Sequence, residues 1–473
     1  MILLVVWDGL RPDMIGDDLT PYLARMGREG VFCRSSHAVW PSATRINAAA
    51  LTTGCYPAKH GLVDNELYVP AVDPAKPFSC ADWRLLQAMA DAEGGPLLTA
   101  PTLGQVLQQH GRRMASGGSG SPGTTYLTNP TVTGPIVNWA VAWPAAFAAE
   151  LRARYRAFGD DQADSVTRNR LVIDALREVL LPATAPDVVT LWLTEPDHAQ
   201  HGYGLRSAEA VAMLRHVDAE VEALVIELSA TLDEPLTVFC LSDHGFDTIG
   251  YEHPVQAALI EAGFKATPDS TDVVRASNSL YLDAATLPRV GELASWLLEQ
   301  PWVSAVFVRD DLWCAPGVAC SGALPQSAAG GGHRRAAPLM YSPRWSDGVN
   351  GEGVPGLVAG RSGGNVATHG STSPYALHNT LVAWGAGIKR QTVSDVPCGI
   401  VDLAPTVLHL LGIVPPATMD GRVLYELLAE GPAPETVPVS ASTREGVGAT
   451  RRQVARYAEA CGKAYLEQVA IEA

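Results

Sequence analysis

The chain has 473 residues, a formal net charge of −16, 47% hydrophobic residues and 18% charged residues. This apolar content supports a sizeable buried core and excludes a globally disordered chain. The acidic balance excludes a protein that coats nucleic acid with a basic stripe, so no stable nucleic-acid complex is expected. An anionic small molecule stays compatible, because bound divalent cations can dominate the local field of a site on an acidic protein.

The chain begins MILLVVWDGL, and Ile2–Trp7 reads as a buried strand ending at Asp8-Gly9. It lacks the basic n-region, longer apolar run and small-residue cleavage site of a secretory signal. Nowhere does the sequence reach the roughly 18 apolar residues of a membrane span. A cytoplasmic protein without membrane contact is the expectation. A helical stretch containing Pro21-Tyr22-Leu23-Ala24 follows, then a strand over Gly30–Ser35. Further apolar runs recur at Val188–Leu193, Leu236–Leu241 and Thr380–Trp384, separated by helical patterns such as Ser207–Leu228. Buried strands alternating with helices predict an α/β fold, a mainly parallel central sheet with helices on both faces. Residues 1–250 and 366–430 are read as this core. Asn278–Leu282, Val290–Leu298 and Val303–Val308 read as strand, helix and strand, which makes 251–365 an inserted α+β cap. Its Gly/Ser/Pro-rich part, Ala315–Gly364, reads as a long loop, and Val63–Leu97 as a second insertion. Residues 431–473 are read as a linker, Pro432–Pro438, and a C-terminal helix, Arg444–Ala473. The eight cysteines include no CxxC pair, so no Cys-type zinc site is indicated. Cys314 and Cys320 are the one closely spaced pair and could be bridged.

A regularity links three strands. Asp8 lies just past the first, Asp197 just past Val188–Leu193, and Asp243-His244 just past Leu236–Leu241. Ligands of open α/β sheets bind beyond the carboxyl ends of the strands, which predicts these side chains at one edge of one sheet. Asp197 and His201 stand four apart in EPDHAQHGYG, on one face if helical. His369 sits in ATHGS. Carboxylates and imidazoles are what zinc accepts when thiolate is absent, and six of them divide naturally into three for each of two metals. Any one alone is equally a cap, a turn residue or a satisfied helix pair; the conjunction favours metal. Upstream, in PSATRINAAALTTGCYPAKHG (Pro41–Gly61), Thr44 would open a helix. A threonine hydroxyl is a poor nucleophile until a cation lowers its pKa. A helix N-terminus adds donors for phosphate. Asn47, one turn on, could donate its amide to a phosphoryl oxygen. Alone, these two would be a plain N-cap and a helix-surface amide.

Together these pieces resemble the alkaline phosphatase superfamily, especially its nucleotide pyrophosphatase/phosphodiesterase branch and the related phosphonoacetate hydrolases. The TxxN motif appears as Thr44-Arg45-Ile46-Asn47, and the TGxYPxxHG tail as Thr53-Gly54-Cys55-Tyr56-Pro57-Ala58-Lys59-His60-Gly61. EPDxxxH appears at Glu195–His201, SDHG at Ser242–Gly245, HG at His369-Gly370 and DxxPTxLxxLG at Asp402–Gly412, with Asp420-Gly421 completing it. The resemblance implies an alkaline-phosphatase-like fold and two divalent cations: zinc first, with manganese or iron as alternatives that ligand type alone does not separate. It assigns Asp197, His201 and His369 to one metal, and Asp8, Asp243 and His244 to the other, with Thr44 bridging toward the second. Asn47 would bind the phosphoryl group. Thr44 would attack phosphorus to give a phosphothreonine that metal-activated water hydrolyses. The implied substrate is a small phosphoester, pyrophosphate or phosphonate.

The sequence departs from that branch at one point. An aromatic and a proline usually follow the nucleophile; here Arg45 and Ile46 do, so Arg45 either meets a second charged group on the substrate or faces solvent. A C–P bond hydrolase, a phosphomonoesterase and a catalytically silent binding module are the rival readings. A phosphonoacetate hydrolase would need cations for the substrate carboxylate, and no clear lysine pair stands between Pro70 and Ala140. His198 is read as a wall residue and His60 as structural. His378 is a possible hydrogen-bond partner of a ligand, and Trp40 and Tyr203 possible pocket linings. Thr124, Thr125, Tyr126 and Asn129 are expected to border the substrate, and His333-Arg334-Arg335 to lie in a solvated loop. The oligomeric state is left open.

Overall fold

The computed structural model describes residues 1–313, 320–360 and 364–472. Its centre is a nine-stranded sheet. Five strands in spatial sequence (Thr237–Leu241, Ile2–Trp7, Val188–Leu193, Met114–Gly118, Ile136–Asn138) run parallel to one another. Leu381–Gly385 joins antiparallel, beside Thr237–Leu241.

The first strand shows why the sheet is covered on both sides. Side chains alternate across a strand. Ile2, Leu4 and Val6 enter one apolar cluster with the helices Thr44–Thr53 and Leu403–Leu410. Leu3, Val5 and Trp7 enter the opposite cluster with the helices Pro21–Glu29 and Ala208–Thr231. A strand apolar at every position therefore needs two helical layers, as the continuous run in the sequence indicates.

The stretch expected as an inserted cap builds a second sheet. Val273–Ala276, Ser279–Leu282, Leu339–Pro343, Val303–Val308 and Leu324–Pro325 form a five-stranded sheet with the helix Val290–Leu298 against it. The stretch read as a long loop therefore contains strands: besides Leu339–Pro343, it holds Trp345–Val349 and Pro355–Ala359. Pro355–Ala359 pairs with Asp247–Tyr251, which runs across the expected boundary at residue 250. Cys314 lies outside the described residues.

The expected C-terminal helix is instead an antiparallel sheet of Val439–Val447, Arg452–Ala460 and Lys463–Glu472. Its alanine, arginine and glutamate content reads as helical, but packing decides otherwise. Val454, Tyr457, Tyr465 and Val469 are buried. Cys461 and Gly462, both at positive φ, make the two-residue reversal that suits a hairpin. Gln453 binds this sheet to the cap: its amide donates to the Val306 and Gly322 carbonyls and accepts from the Val306 N–H. Among the described residues no helix is long and apolar enough to cross a membrane.

Candidate active site

Asp8, Asp197 and Asp243 follow three adjacent parallel strands, so the sheet itself brings them together. Gly9 lets the chain turn there at φ +71; a Cβ would stand 3.0 Å from Phe246 and 3.2 Å from the Asp197 Cβ. Gly245 is equally constrained, because a Cβ would meet the Tyr375 carbonyl. The short helix Asp197–Tyr203 puts His201 over Asp197, Nε2 to Oδ1 3.4 Å. His369 arrives on the segment after Ala367–Thr368, its Nε2 3.5 Å from the same oxygen. His244 Nε2 stands 3.2 Å from Asp243 Oδ2 and 3.5 Å from Asp8 Oδ1.

Thr44 is the first residue of the helix Thr44–Thr53, with Ala43 as its extended N-cap, and its Oγ1 lies 3.2 Å from His244 Nε2.

The donor set fits divalent cations. The three histidines place Nδ1 against backbone carbonyls: His201 at 2.8 Å from Ala367, His244 at 2.9 Å from Gly245, His369 at 3.1 Å from Ser42. A carbonyl accepts only, so Nδ1 carries the hydrogen and each Nε2 can offer its lone pair inward. Asp8 Oδ1, Asp197 Oδ1 and Asp243 Oδ2 are buried without a hydrogen-bond partner. Their remaining oxygens are fixed where a bond is recorded: Trp192 Nε1 donates to Asp8 Oδ2 at 2.9 Å, and Gly9 N to Asp243 Oδ1 at 3.0 Å. Ligand atoms around a tetrahedral zinc stand about 3.4 Å apart, and the spacings of 3.2–3.5 Å match this.

Electrostatics agree. Burial, reinforced by Asp243 and Asp197, pushes the Asp8 carboxyl up, and burial also raises Asp243. Burial works in the same direction on Asp197, but His201 and His369 outweigh it and hold that carboxyl below its ordinary range. Burial and the neighbouring His244 depress His369. Three converging acids that repel one another when ionised are the arrangement a cation pair relieves.

Another group, His37, His378 and Glu467, also converges. Here each imidazole Nε2 is at hydrogen-bond distance from the carboxylate, 2.7 Å for His37 and 2.8 Å for His378. No carboxylate oxygen is left over, so this cluster reads as a hydrogen-bonded group that docks the C-terminal sheet. Glu467 reaches it from a β-bulge, where Leu466 and Gln468 pair with the consecutive residues Tyr457 and Arg456. His378 is thus committed here and not to a substrate.

Asn47 is a correction. Its side chain is fully buried and turned onto backbone: Oδ1 accepts from Val39 N at 2.8 Å, and Nδ2 donates to the carbonyls of Ala43 and Val39 at 3.0 and 3.3 Å. It braces the loop before Thr44 and presents no donor to the cleft. Asn65, absent from the sequence reading, does line the cleft. Its Oδ1 accepts from Arg45 N at 3.0 Å, which fixes the amide beside Thr44. The one signal for it in the sequence is the polar triplet Asp64-Asn65-Glu66 shortly after the TGxYPxxHG tail.

The cleft, about 510 Å³, runs from His201 and His369 past Arg45 and Asn65 to Arg275 and Asn278 of the cap. Other expected linings lie elsewhere. Trp40 is buried against Phe307, Tyr203 and His198 are exposed, and Thr124 meets Ser121. Arg335 is not solvated: it is buried, donating to the Gly61 and Leu97 carbonyls and paired with Glu93.

The family model described as Type I phosphodiesterase / nucleotide pyrophosphatase matches residues 2–289. Venom phosphodiesterase 2 of Crotalus adamanteus is 25% identical over 252 residues, which is 52% of this chain and 27% of that protein. Ectonucleotide pyrophosphatase/phosphodiesterase family member 1 of Rattus norvegicus is 26% identical over 252 residues, 52% of this chain and 24% of that protein. The matches therefore span about a quarter of these relatives' length. Among solved structures, wild-type alkaline phosphatase PafA superposes with a TM-score of 0.65 at 17% identity, over 90% of this chain and 98% of that one. Murine ectonucleotide pyrophosphatase / phosphodiesterase 5 gives 0.57 at 17% identity, over 88% and 96%, as an inactive threonine-to-alanine variant in complex with AMP. At such identities the likeness is one of fold.

Proposed function

The chain belongs to the type I phosphodiesterase / nucleotide pyrophosphatase family, within the alkaline phosphatase superfamily, and from that premise we propose a metal-dependent hydrolase of phosphodiester or pyrophosphate bonds with Thr44 as nucleophile. The observation that carries this reading is the convergence of Thr44 Oγ1, three inward-facing imidazole nitrogens and three unpartnered carboxylate oxygens at one sheet edge.

Asp197, His201 and His369 would hold one divalent cation, and Asp8, Asp243 and His244 the other, with zinc the best match to the donor set and its spacing. When bound, such cations supply a lowered pKa for a coordinated hydroxyl and neutralise charge on the phosphoryl oxygens. The rest belongs to the chain. The helix start fixes Thr44 Oγ1 toward His244; Thr44 would release its hydroxyl proton to solvent and attack phosphorus in line with the departing oxygen. The P–O bond to the leaving group breaks with its electron pair, and a phosphothreonine remains. Water then attacks that phosphorus and returns the Thr44 hydroxyl. Asn65, held by the Arg45 N–H, offers its amide hydrogens to a phosphoryl oxygen. The carbonyls of Ala367, Gly245 and Ser42 keep the three imidazoles in one tautomer throughout.

The AMP in the murine structure supports a phosphoester substrate class for this cleft. The test is turnover of bis(4-nitrophenyl) phosphate by zinc-loaded protein, before and after chelation and in Thr44→Ala. Activity that survives both treatments removes the proposal.

A further inference from the structure

We propose that Arg45 and Arg275 form a subsite for a second oxyanion, so that the substrate carries a carboxylate or a further phosphoryl group beside the reacting phosphorus. This rests on the reading of the cleft given above and names its substrate class.

The two guanidinium groups come from opposite walls. Arg45 directly follows Thr44, in the helix of the core; Arg275 lies in the cap strand Val273–Ala276. Both line the same cleft. A chain of bonds links the two residues, from the Arg45 backbone to the Arg275 side chain. Arg45 N donates to Asn65 Oδ1 at 3.0 Å, and Glu66, the next residue, accepts from Ser277 N at 3.0 Å. The Ser277 carbonyl in turn accepts from Arg275 Nε at 2.9 Å.

Neither guanidinium has an ion-pair partner among the described residues. Arg45 Nη2 donates to Ser121 Oγ at 3.1 Å, while its Nε is buried without any hydrogen-bond partner. Two acids, Asp64 and Glu66, line the same cleft, and neither forms an ion pair with an arginine among the described residues. Asp64 accepts from Ser279 Oγ and Asn65 N, and burial lifts its carboxyl to about 7. Glu66 serves the Ser277 backbone. A partly desolvated cation without a counter-ion is costly unless a ligand supplies one, and the planar fork of arginine matches carboxylate and phosphoryl oxygens.

The remaining lining agrees. Among the described residues around the cleft there is no Phe, Tyr or Trp. A nucleobase would find no broad aromatic face to stack on. At about 510 Å³ the space nevertheless exceeds a bare phosphate. Polar walls with two guanidinium groups that lack an ion-pair partner among the described residues fit a compact, multiply charged molecule better than a nucleoside.

Calorimetry on zinc-loaded Thr44→Ala protein, which cannot turn over the probes by the proposed route, tests this with methylphosphonate, phosphonoacetate and methylenediphosphonate. The probes differ by no second anion, a carboxylate or a second phosphonate. The expected result is binding of one or both doubly functional probes about tenfold or more tighter than methylphosphonate. Arg45→Met and Arg275→Met should each collapse that ratio toward one. Using a ratio cancels any general weakening of the metal centre, and the two variants lie on separate elements, so misfolding of one leaves the other informative. A ratio near one in the parent, or a ratio that neither variant lowers, overturns the subsite. Failure of the hydrolase reading shows separately, as phosphodiester turnover that Thr44→Ala leaves intact.

Discussion

Thr44 Oγ1 lies 3.2 Å from His244 Nε2, across 200 positions of sequence. The contact joins the start of one helix to the end of a strand on the far side of the chain, and it sets the first expectation. Thr44→Ala should lower kcat on a chromogenic phosphodiester by at least about a thousandfold, the scale on which loss of a nucleophile acts. Thr44→Ser, which keeps a hydroxyl, should retain more activity than Thr44→Ala. Steady-state kinetics at fixed zinc compare the three.

Trp192 Nε1 donates to Asp8 Oδ2 at 2.9 Å, leaving the other carboxylate oxygen to face the cluster. Trp192→Phe keeps the ring in the core but removes the donor. Zinc affinity should fall by roughly 10–100-fold, the usual effect of losing a hydrogen bond behind a ligand. Competition against a chelator of known affinity measures it, and an unchanged affinity would show that Asp8 needs no such support.

Two asparagines should separate function from stability. Asn65→Ala should raise KM or lower kcat with little change in unfolding free energy, because the side chain lines the cleft. Asn47→Ala strips hydrogen bonds from the fully buried Val39 and Ala43 backbone groups. That variant should lose about 3 kcal/mol of stability. Urea titration beside kinetics for both variants distinguishes the roles; the reverse pattern would restore Asn47 to the site.

His60 predicts a pH dependence. It is fully buried, and burial pushes its imidazole down to about 3. In the unfolded chain the same group titrates near 6.5. Between those values the unfolded state binds the extra proton, so stability rises with pH there and falls as the solution is acidified from 6.5 toward 3. At pH 5 the cost is about 2 kcal/mol at 1.36 kcal/mol per unit. His60→Asn, which retains an acceptor for the Leu62 N–H, should lose less stability between pH 7 and pH 5 than the parent by about that amount. Paired urea melts at the two pH values give the difference.

Much of the core was legible because its signals are local. Ile2–Trp7, Val188–Leu193 and Leu236–Leu241 are apolar at nearly every position, which only a strand buried on both faces requires. An acid directly after each of three such strands has to emerge at one edge of a parallel sheet. The C-terminal segment failed for the opposite reason. Its composition favours helix, and what makes it sheet is contact with distant partners: Gln453 with Val306, Glu467 with His37 and His378. The cap loop failed similarly, since Pro355–Ala359 sits in a sheet between Trp345–Val349 and the distant Asp247–Tyr251.

The core strands, the acids and imidazoles near their ends and the threonine at a helix start could be read from residue order alone, because hydrophobic periodicity and strand-end position act over a few residues. That Asn65 and not Asn47 faces the cleft, that all three imidazoles turn Nε2 inward, and that Arg45 and Arg275 line one cleft emerged only with the folded layers. An amide, an imidazole or a guanidinium takes its orientation from whichever distant carbonyl or hydroxyl reaches it, and that geometry exists only once the layers have closed.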